Sequence, residues 1–74
     1  MPTATADLIK IAGKVRVRRA ELGWSQQELA NKADVARRTV TAIEQGEYRA
    51  HYPTYGKIAT ALGLSLTDIT GAGE

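Results

Sequence analysis

The sequence predicts an all-α fold of five helices, and two observations carry that prediction. Apolar residues recur three or four positions apart through most of the chain, the spacing that gathers side chains on one face of a helix. Helix-ending glycines and Ser-x-x-acid capping patterns separate these stretches. Because 74 residues allow one modest core, we expect a single domain over residues 1–74, ordered from about residue 6 to 70.

The first helix should span residues 7–22. Its buried face should consist of Leu8, Ile11, Val15 and Leu22. Gly23 should end this helix in the left-handed conformation that glycine adopts without strain. Ser25 and Glu28 form a capping box, in which each side chain accepts a backbone N–H of the other residue, so the second helix should begin at Gln26.

The second and third helices are predicted to form a helix-turn-helix. Their apolar or small residues are Leu29, Ala30, Ala33, Val40 and Ile43. Asp34 and Val35 lie between the two groups, where the break in the apolar pattern marks a tight turn. Helices this short bury little surface alone, so they need each other and a third element to be stable.

The outward face of the third helix is the candidate functional surface. With Val40 and Ile43 turned inward, a step of about 100° per residue leaves four residues facing outward, Arg38, Thr41, Ala42 and Gln45. Arg37 stands beside them at the amino end. This arrangement suits a helix laid in the DNA major groove, where arginine makes a bidentate contact to guanine. An ordinary solvated surface helix is the alternative interpretation.

Two further helices should complete the domain. The fourth is expected to begin at about His51 or Tyr52 and to end at Leu62, because Pro53 is tolerated only in the first turn of a helix. Its buried face should consist of Tyr55, Ile58, Ala59 and Leu62. A second cap, formed by Ser65 and Asp68, predicts a fifth helix from Leu66 to about Thr70.

Composition narrows the class of protein. The chain has no cysteine and one histidine, so we expect no disulfide, metal site or cofactor. No nucleophile–base pair or glycine-rich phosphate loop indicates an enzyme. No apolar run approaches the ~20 residues of a membrane span, and the stretch MPTATADLIK does not resemble a secretory signal. A cytoplasmic protein without a small-molecule ligand is therefore expected.

The charge of the chain is polarised. Residues 1–41 hold eight Lys or Arg against four Asp or Glu, a net +4, whereas residues 42–74 hold two against four, a net −2. The basic half contains the predicted helix-turn-helix. This distribution favours a polyanionic partner on one side of the molecule.

The run GWSQQELANKADVARRTVTAIEQG resembles the helix-turn-helix of the phage repressor and Cro family, also called the XRE family. The matching positions are Gly23, Ser25, Gln26, Glu28, Leu29, Ala30, Val35, Val40, Ile43, Glu44 and Gly46. ALGLSL, from Ala61 to Leu66, is similar to the later helical junction of the family. The resemblance covers roughly residues 11–70, and it implies a compact repressor-like DNA-binding domain.

Two residues depart from the family pattern. Asp34 occupies a turn position where the family usually has glycine, and aspartate tolerates the left-handed conformation that the turn requires. Ala36 replaces the serine or threonine that usually caps the recognition helix. Loss of that side-chain cap should cost ~1 kcal/mol.

The resemblance also implies roles for individual residues. Arg19 and Glu44 should form a structural ion pair between the first helix and the end of the third. Trp24 should be apolar core, although it could instead stack on a base. The family dimerises through the region after the fourth helix, which here offers Leu64, Leu66 and Ile69. Some of these three residues must also close the core of the monomer.

The predicted site combines base and phosphate contacts. The residues expected to contact bases are Arg37, Arg38, Thr41 and Ala42, and those expected to contact the DNA backbone are Gln26, Thr39, Gln45 and Arg49. The expected function is sequence-specific binding of double-stranded DNA by a homodimeric transcriptional regulator, in particular a repressor of a palindromic operator in a bacterial or phage-infected cell. An antitoxin or coactivator-type interaction module on the same fold is the alternative.

Overall fold

The computed structural model describes residues 6–48 and 50–70, and within these residues the chain forms five helices and no strand. The helices are α1 (Ala6–Glu21), α2 (Gln26–Ala33), α3 (Arg37–Glu44), α4 (Tyr52–Leu62) and α5 (Leu66–Thr70). The predicted all-α fold is confirmed. The predicted limits of α1 are displaced by a single residue, and α4 begins at Tyr52, one of its two predicted starts.

The five helices pack around one core. α1 contacts α3, α4 and α5, while α2 packs against α3 and α4. The buried apolar residues are Leu8, Ile11, Ala12, Val15, Leu29, Ala30, Ala33, Val40, Ile43, Ala50, Tyr55, Ile58, Ala59, Leu62 and Ile69. The buried phenol of Tyr55 is satisfied, because its oxygen accepts the Ala50 N–H at 3.1 Å.

Of the three apolar residues predicted for the dimer region, Ile69 is one that closes the core of the monomer. Ile69 is only 1% exposed and belongs to the core of the monomer, so it offers no surface to a second chain. A five-residue helix turns few side chains inward, and in α5 the buried one is Ile69. Leu64 and Leu66 are half-buried beside the same core, and of the three predicted dimer residues they alone present surface.

The ends of α2 and α3 follow the local chemistry of the sequence. At the start of α2, the Glu28 N–H donates to Ser25 Oγ at 3.0 Å, and the Ser25 N–H donates to Glu28 Oε1 at 2.8 Å. Asp34 ends α2 with φ +58° and ψ +48°, as the turn requires. Ala36 has the extended backbone of a cap residue but contributes no side-chain hydrogen bond to α3.

Three arginines of α1 bind backbone carbonyls elsewhere in the domain. Arg16 Nη1 donates to the carbonyl of Glu44 at 2.7 Å, and Arg18 Nε donates to the carbonyl of Leu62 at 2.9 Å. These carbonyls belong to the last residues of α3 and α4, where helical hydrogen-bond partners run out and a cation is favourable. Arg19 Nη1 binds the Trp24 carbonyl at 2.8 Å. α1 therefore fixes the carboxyl ends of two other helices.

Candidate nucleic-acid interface

The outward face of α3 is a shallow polar surface with two arginines. A depression of about 280 Å³ is lined by Arg37, Arg38, Thr41, Ala42 and Gln45. The arginines and the glutamine are exposed, whereas the threonine and the alanine are half-buried. The structure thus brings all four predicted base-contacting residues to one surface, together with one of the predicted phosphate-contacting residues.

Buried residues of α3 and a bond from α1 fix the orientation of this surface. Val40 and Ile43 are 0% and 1% exposed, respectively, so α3 cannot rotate about its axis without exposing them to water. Arg16 holds the carboxyl end of the helix through the Glu44 carbonyl. Thr39, half-buried, lines a neighbouring depression with Arg38, Ala42 and the exposed Tyr48.

An ion pair joins α1 to the carboxyl end of α3, and its Arg19 and Glu44 side chains are 20% and 2% exposed, respectively. Arg19 Nε donates to Glu44 Oε2 at 2.6 Å, and Arg19 Nη2 donates to Glu44 Oε1 at 2.9 Å. Glu44 is 3% exposed and is the one buried charged residue found among the described residues. Its hydrogen bond raises the pKa of the Arg19 guanidinium above the ordinary value. The contact between these two side chains is the one that the resemblance implies.

Gln26 extends this ion pair towards the surface. Gln26 Nε2 donates to Glu44 Oε1 at 3.1 Å, and Thr41 Oγ1 donates to Gln26 Oε1 at 3.0 Å. A chain of side chains therefore runs from Arg19 through Glu44 and Gln26 to Thr41. The sequence did not predict the Gln26–Thr41 contact, since the two residues lie on different helices and no short-range pattern relates them.

Other aromatic and charged residues lie around the motif. Trp24 is half-buried and packs against the core, with Lys32 Nζ 4.9 Å from the centroid of its ring. This placement favours the predicted structural role over base stacking. Arg49, predicted to contact the DNA backbone, lies outside the described residues. His51 is exposed.

Residues 6–48 and 50–70 contain neither a candidate metal site nor a candidate membrane-spanning helix. No cluster of three His, Cys, Asp or Glu side chains is arranged to hold a metal ion. None of the described helices combines the length and the apolar character needed to cross a membrane.

Comparison with known proteins places this geometry among helix-turn-helix proteins. A family model described as "Helix-turn-helix" matches residues 15–69. The HTH-type transcriptional regulator YgzD of Bacillus subtilis is 38% identical over 56 residues, which are 76% of this chain and 85% of YgzD. The antitoxin HipB of Escherichia coli is 31% identical over 58 residues, 78% of this chain and 66% of HipB.

Two solved structures share the fold closely. A hypothetical transcription factor from Neisseria superimposes with a TM-score of 0.84 and 28% identity, covering 95% of this chain and 80% of that protein. The restriction-modification controller protein C.AhdI from Aeromonas hydrophila gives a TM-score of 0.82 and 31% identity, covering 88% of this chain and 98% of C.AhdI.

Proposed function

The chain belongs to the phage-repressor and Cro family of helix-turn-helix DNA-binding transcriptional regulators, and from this premise we propose that it is a repressor that inserts α3 into the major groove of a palindromic operator. The observation that carries the proposal is the surface of α3. Arg37 and Arg38 are exposed on a helix whose opposite face is locked into the core. Arginine fits the O6 and N7 atoms of guanine with two hydrogen bonds.

The remaining site residues divide by what they can reach. Thr41 and Ala42 sit between the arginines and the core and are proposed to contact base edges. Four further residues are proposed to contact phosphates, namely Gln26, Thr39, Gln45 and Arg49. Gln26 lies at the amino end of α2, where backbone N–H groups favour an anion.

The proposed protein unit on DNA is a homodimer. One recognition helix contacts only a few base pairs, so useful specificity requires two half-sites about one helical turn apart. Leu64 and Leu66 are the proposed dimer contacts, because both are apolar and partly accessible. Two-fold symmetry in the protein would match a palindrome in the operator.

Binding titrations of single variants test the assignment of α3. The DNA is a duplex enriched by the wild-type protein from a randomised pool, compared with a scrambled duplex of equal composition. Arg37→Ala or Arg38→Ala should weaken binding to the enriched duplex by ~1–3 kcal/mol and relax preference at one base position. Lys57→Ala is the control, since it removes the same charge from an exposed position on α4 and should leave discrimination unchanged.

The result that contradicts the proposal is equally specific. If neither arginine variant changes discrimination between the two duplexes, α3 does not contact the bases. Arg49→Ala should behave differently from both arginine variants. A residue that contacts only phosphate should weaken binding to both duplexes alike and lower the salt dependence by about one counterion.

An antitoxin is the second candidate function, and the similarity to HipB favours it. Antitoxins on this fold bind a toxin in addition to DNA, so the two functions do not exclude each other. Arg37 and Arg38 favour DNA as the principal partner, because a surface of free arginines suits a polyanion. Retained DNA discrimination in the purified protein would support regulation without requiring a toxin.

A further inference from the structure

We propose that Thr41 selects for adenine or cytosine at one operator position, because the ion pair beneath α3 leaves its hydroxyl able only to accept hydrogen bonds. This inference rests on the proposed insertion of α3 into the major groove. It adds the class of base that Thr41 prefers and the residues that impose the preference.

The Glu44 carboxylate can only accept hydrogen bonds, and this determines which atom of Gln26 faces it. Its carboxylate is held by two hydrogen bonds from the Arg19 guanidinium, at 2.6 and 2.9 Å, and a carboxylate has acceptors only. The atom of Gln26 that lies 3.1 Å from Glu44 Oε1 must therefore be the donor Nε2. The buried carboxylate of Glu44 therefore allows only one orientation of the Gln26 amide.

The fixed orientation of the Gln26 amide determines how the Thr41 hydroxyl can bond. With Nε2 directed at Glu44, the carbonyl oxygen of Gln26 faces Thr41 Oγ1 at 3.0 Å. That oxygen can only accept, so the Thr41 hydroxyl donates its single hydrogen to it. A hydroxyl has one donor and two acceptor lone pairs. Once the hydrogen is used within the protein, Thr41 can only accept from DNA.

The four bases differ in whether their major-groove edges can donate a hydrogen bond to the Thr41 hydroxyl. Adenine and cytosine present amino groups, N6 and N4, which donate hydrogen bonds, whereas the O6 of guanine and the O4 of thymine accept them. A guanine or thymine opposite Thr41 would bring two acceptors together, unless the internal hydrogen bond were broken. Thr41 lines the same depression as Arg37 and Arg38, so it lies where a base edge would be contacted.

Enrichment of sites from a randomised duplex pool gives the base preference at every position. Wild-type protein should prefer adenine or cytosine at one position by about tenfold. Thr41→Ser keeps the hydroxyl and should retain this preference. Thr41→Val keeps the volume and the branching of threonine but lacks the hydroxyl, so the preference should fall to less than about twofold. Circular dichroism and urea unfolding of each variant check that the domain remains folded.

Gln26→Met tests the origin of the effect. It removes the acceptor that holds the Thr41 hydrogen, so the hydroxyl is free to donate or accept, and guanine and thymine should become tolerated at that same position. Overall affinity should also fall, because the proposed phosphate contact of Gln26 is lost. Preference at the other positions should remain, since Arg37 and Arg38 are unchanged.

Several outcomes would overturn the inference. These are a preference for guanine or thymine that disappears in Thr41→Val, an adenine or cytosine preference that persists in Thr41→Val, or no position that responds to Thr41. If Arg37→Ala and Arg38→Ala still alter discrimination in those cases, the proposed function stands and only the role of Thr41 fails. If no α3 variant alters discrimination, the proposed function itself fails.

Discussion

Two arginine–glutamate pairs of this domain show how burial determines the contribution of an ion pair to stability. Arg18 and Glu21 are 3.3 Å apart with side chains 36% and 58% exposed, whereas the Glu44 side chain facing Arg19 is 2% exposed. Water screens the first pair strongly. In the Arg19–Glu44 pair, loss of Glu44 leaves the Arg19 guanidinium without its counter-charge.

We therefore expect very different effects from two matched substitutions. Glu44→Ala should lower the free energy of unfolding by ~3–5 kcal/mol, a large part of the stability of a small domain. Glu21→Ala should lower it by less than ~1 kcal/mol. Urea unfolding followed by circular dichroism measures both. Equal losses in the two variants would show that burial of Glu44 has no such effect.

Individual contacts differ in how far the sequence predicts them. The left-handed turn at Asp34 follows from local backbone chemistry, and the Arg19–Glu44 pair was expected only through the family resemblance. The bonds from Arg16 and Arg18 to helix ends were not expected, since residues 28 and 44 positions apart meet only when the helices pack. The same holds for Gln26 and Thr41.

The helices themselves are the best-predicted level of the structure. Capping boxes, left-handed glycines and apolar spacing act within a few residues, so they fix helix ends without knowledge of the fold. The spacing of apolar residues in α1 does not account for Val17, which is 58% exposed. It borders a groove of about 650 Å³ between α1 and the region of α5, beside Leu64.

The uncapped start of α3 offers a stabilising substitution. Ala36 has φ −70° and ψ +146°, the backbone of a cap residue, so Ala36→Ser should supply the missing acceptor and raise the free energy of unfolding by ~1 kcal/mol. Ala20→Ser is the control, because it places serine at an exposed position in the last turn of α1, away from any cap, and should be slightly destabilising. Thermal unfolding distinguishes the two. A gain in both variants, or in neither, would contradict the capping explanation.

The cap of α5 should make stability depend on pH. Hydrogen bonds from the backbone N–H and then the hydroxyl of Ser65 hold the pKa of Asp68 below its ordinary value of 3.8. Asp68 binds its proton less readily in the folded state than in the unfolded one. Its contribution to stability is therefore complete above the ordinary pKa and is lost as pH falls through the lowered pKa.

Asp68→Asn isolates this effect, because asparagine has a similar shape and does not titrate. Wild-type protein should be the more stable at neutral pH, and the difference in the free energy of unfolding should shrink as the solution is acidified below 3.8. Every other titrating group is common to both proteins and cancels in the difference. A gap that stays constant or widens in acid would contradict this assignment.

For the whole molecule, net charge is only a coarse guide to which cations face a partner. Arg16, Arg18 and Arg19 belong to the basic half of the sequence, yet each binds a carbonyl or carboxylate within the domain. Arg37 and Arg38, by contrast, are exposed on the surface of α3 that is proposed to contact DNA. Composition alone cannot separate cations that bind groups within the domain from those that face a partner.

The stoichiometry of the DNA complex tests the molecule as a whole. Sedimentation of the protein with a palindromic duplex should give two chains per duplex, because each α3 covers one half-site. A duplex carrying one half-site should bind a single chain much more weakly. A stable one-to-one complex on the full palindrome would overturn the proposed dimer. The burial of Ile69 confines the expected contact to Leu64 and Leu66, a distinction that required the packed structure.

The bonds from α1 to the ends of α3 and α4 also bear on how the domain opens. Detachment of α1 would release the Glu44 and Leu62 carbonyls together, so these two helix ends should not fray independently. Amide hydrogens near both ends are then expected to exchange with solvent through the same cooperative opening, with similar protection. The helix that is proposed to contact DNA would thus open together with the core, and its outward side chains could be changed without altering how the domain unfolds.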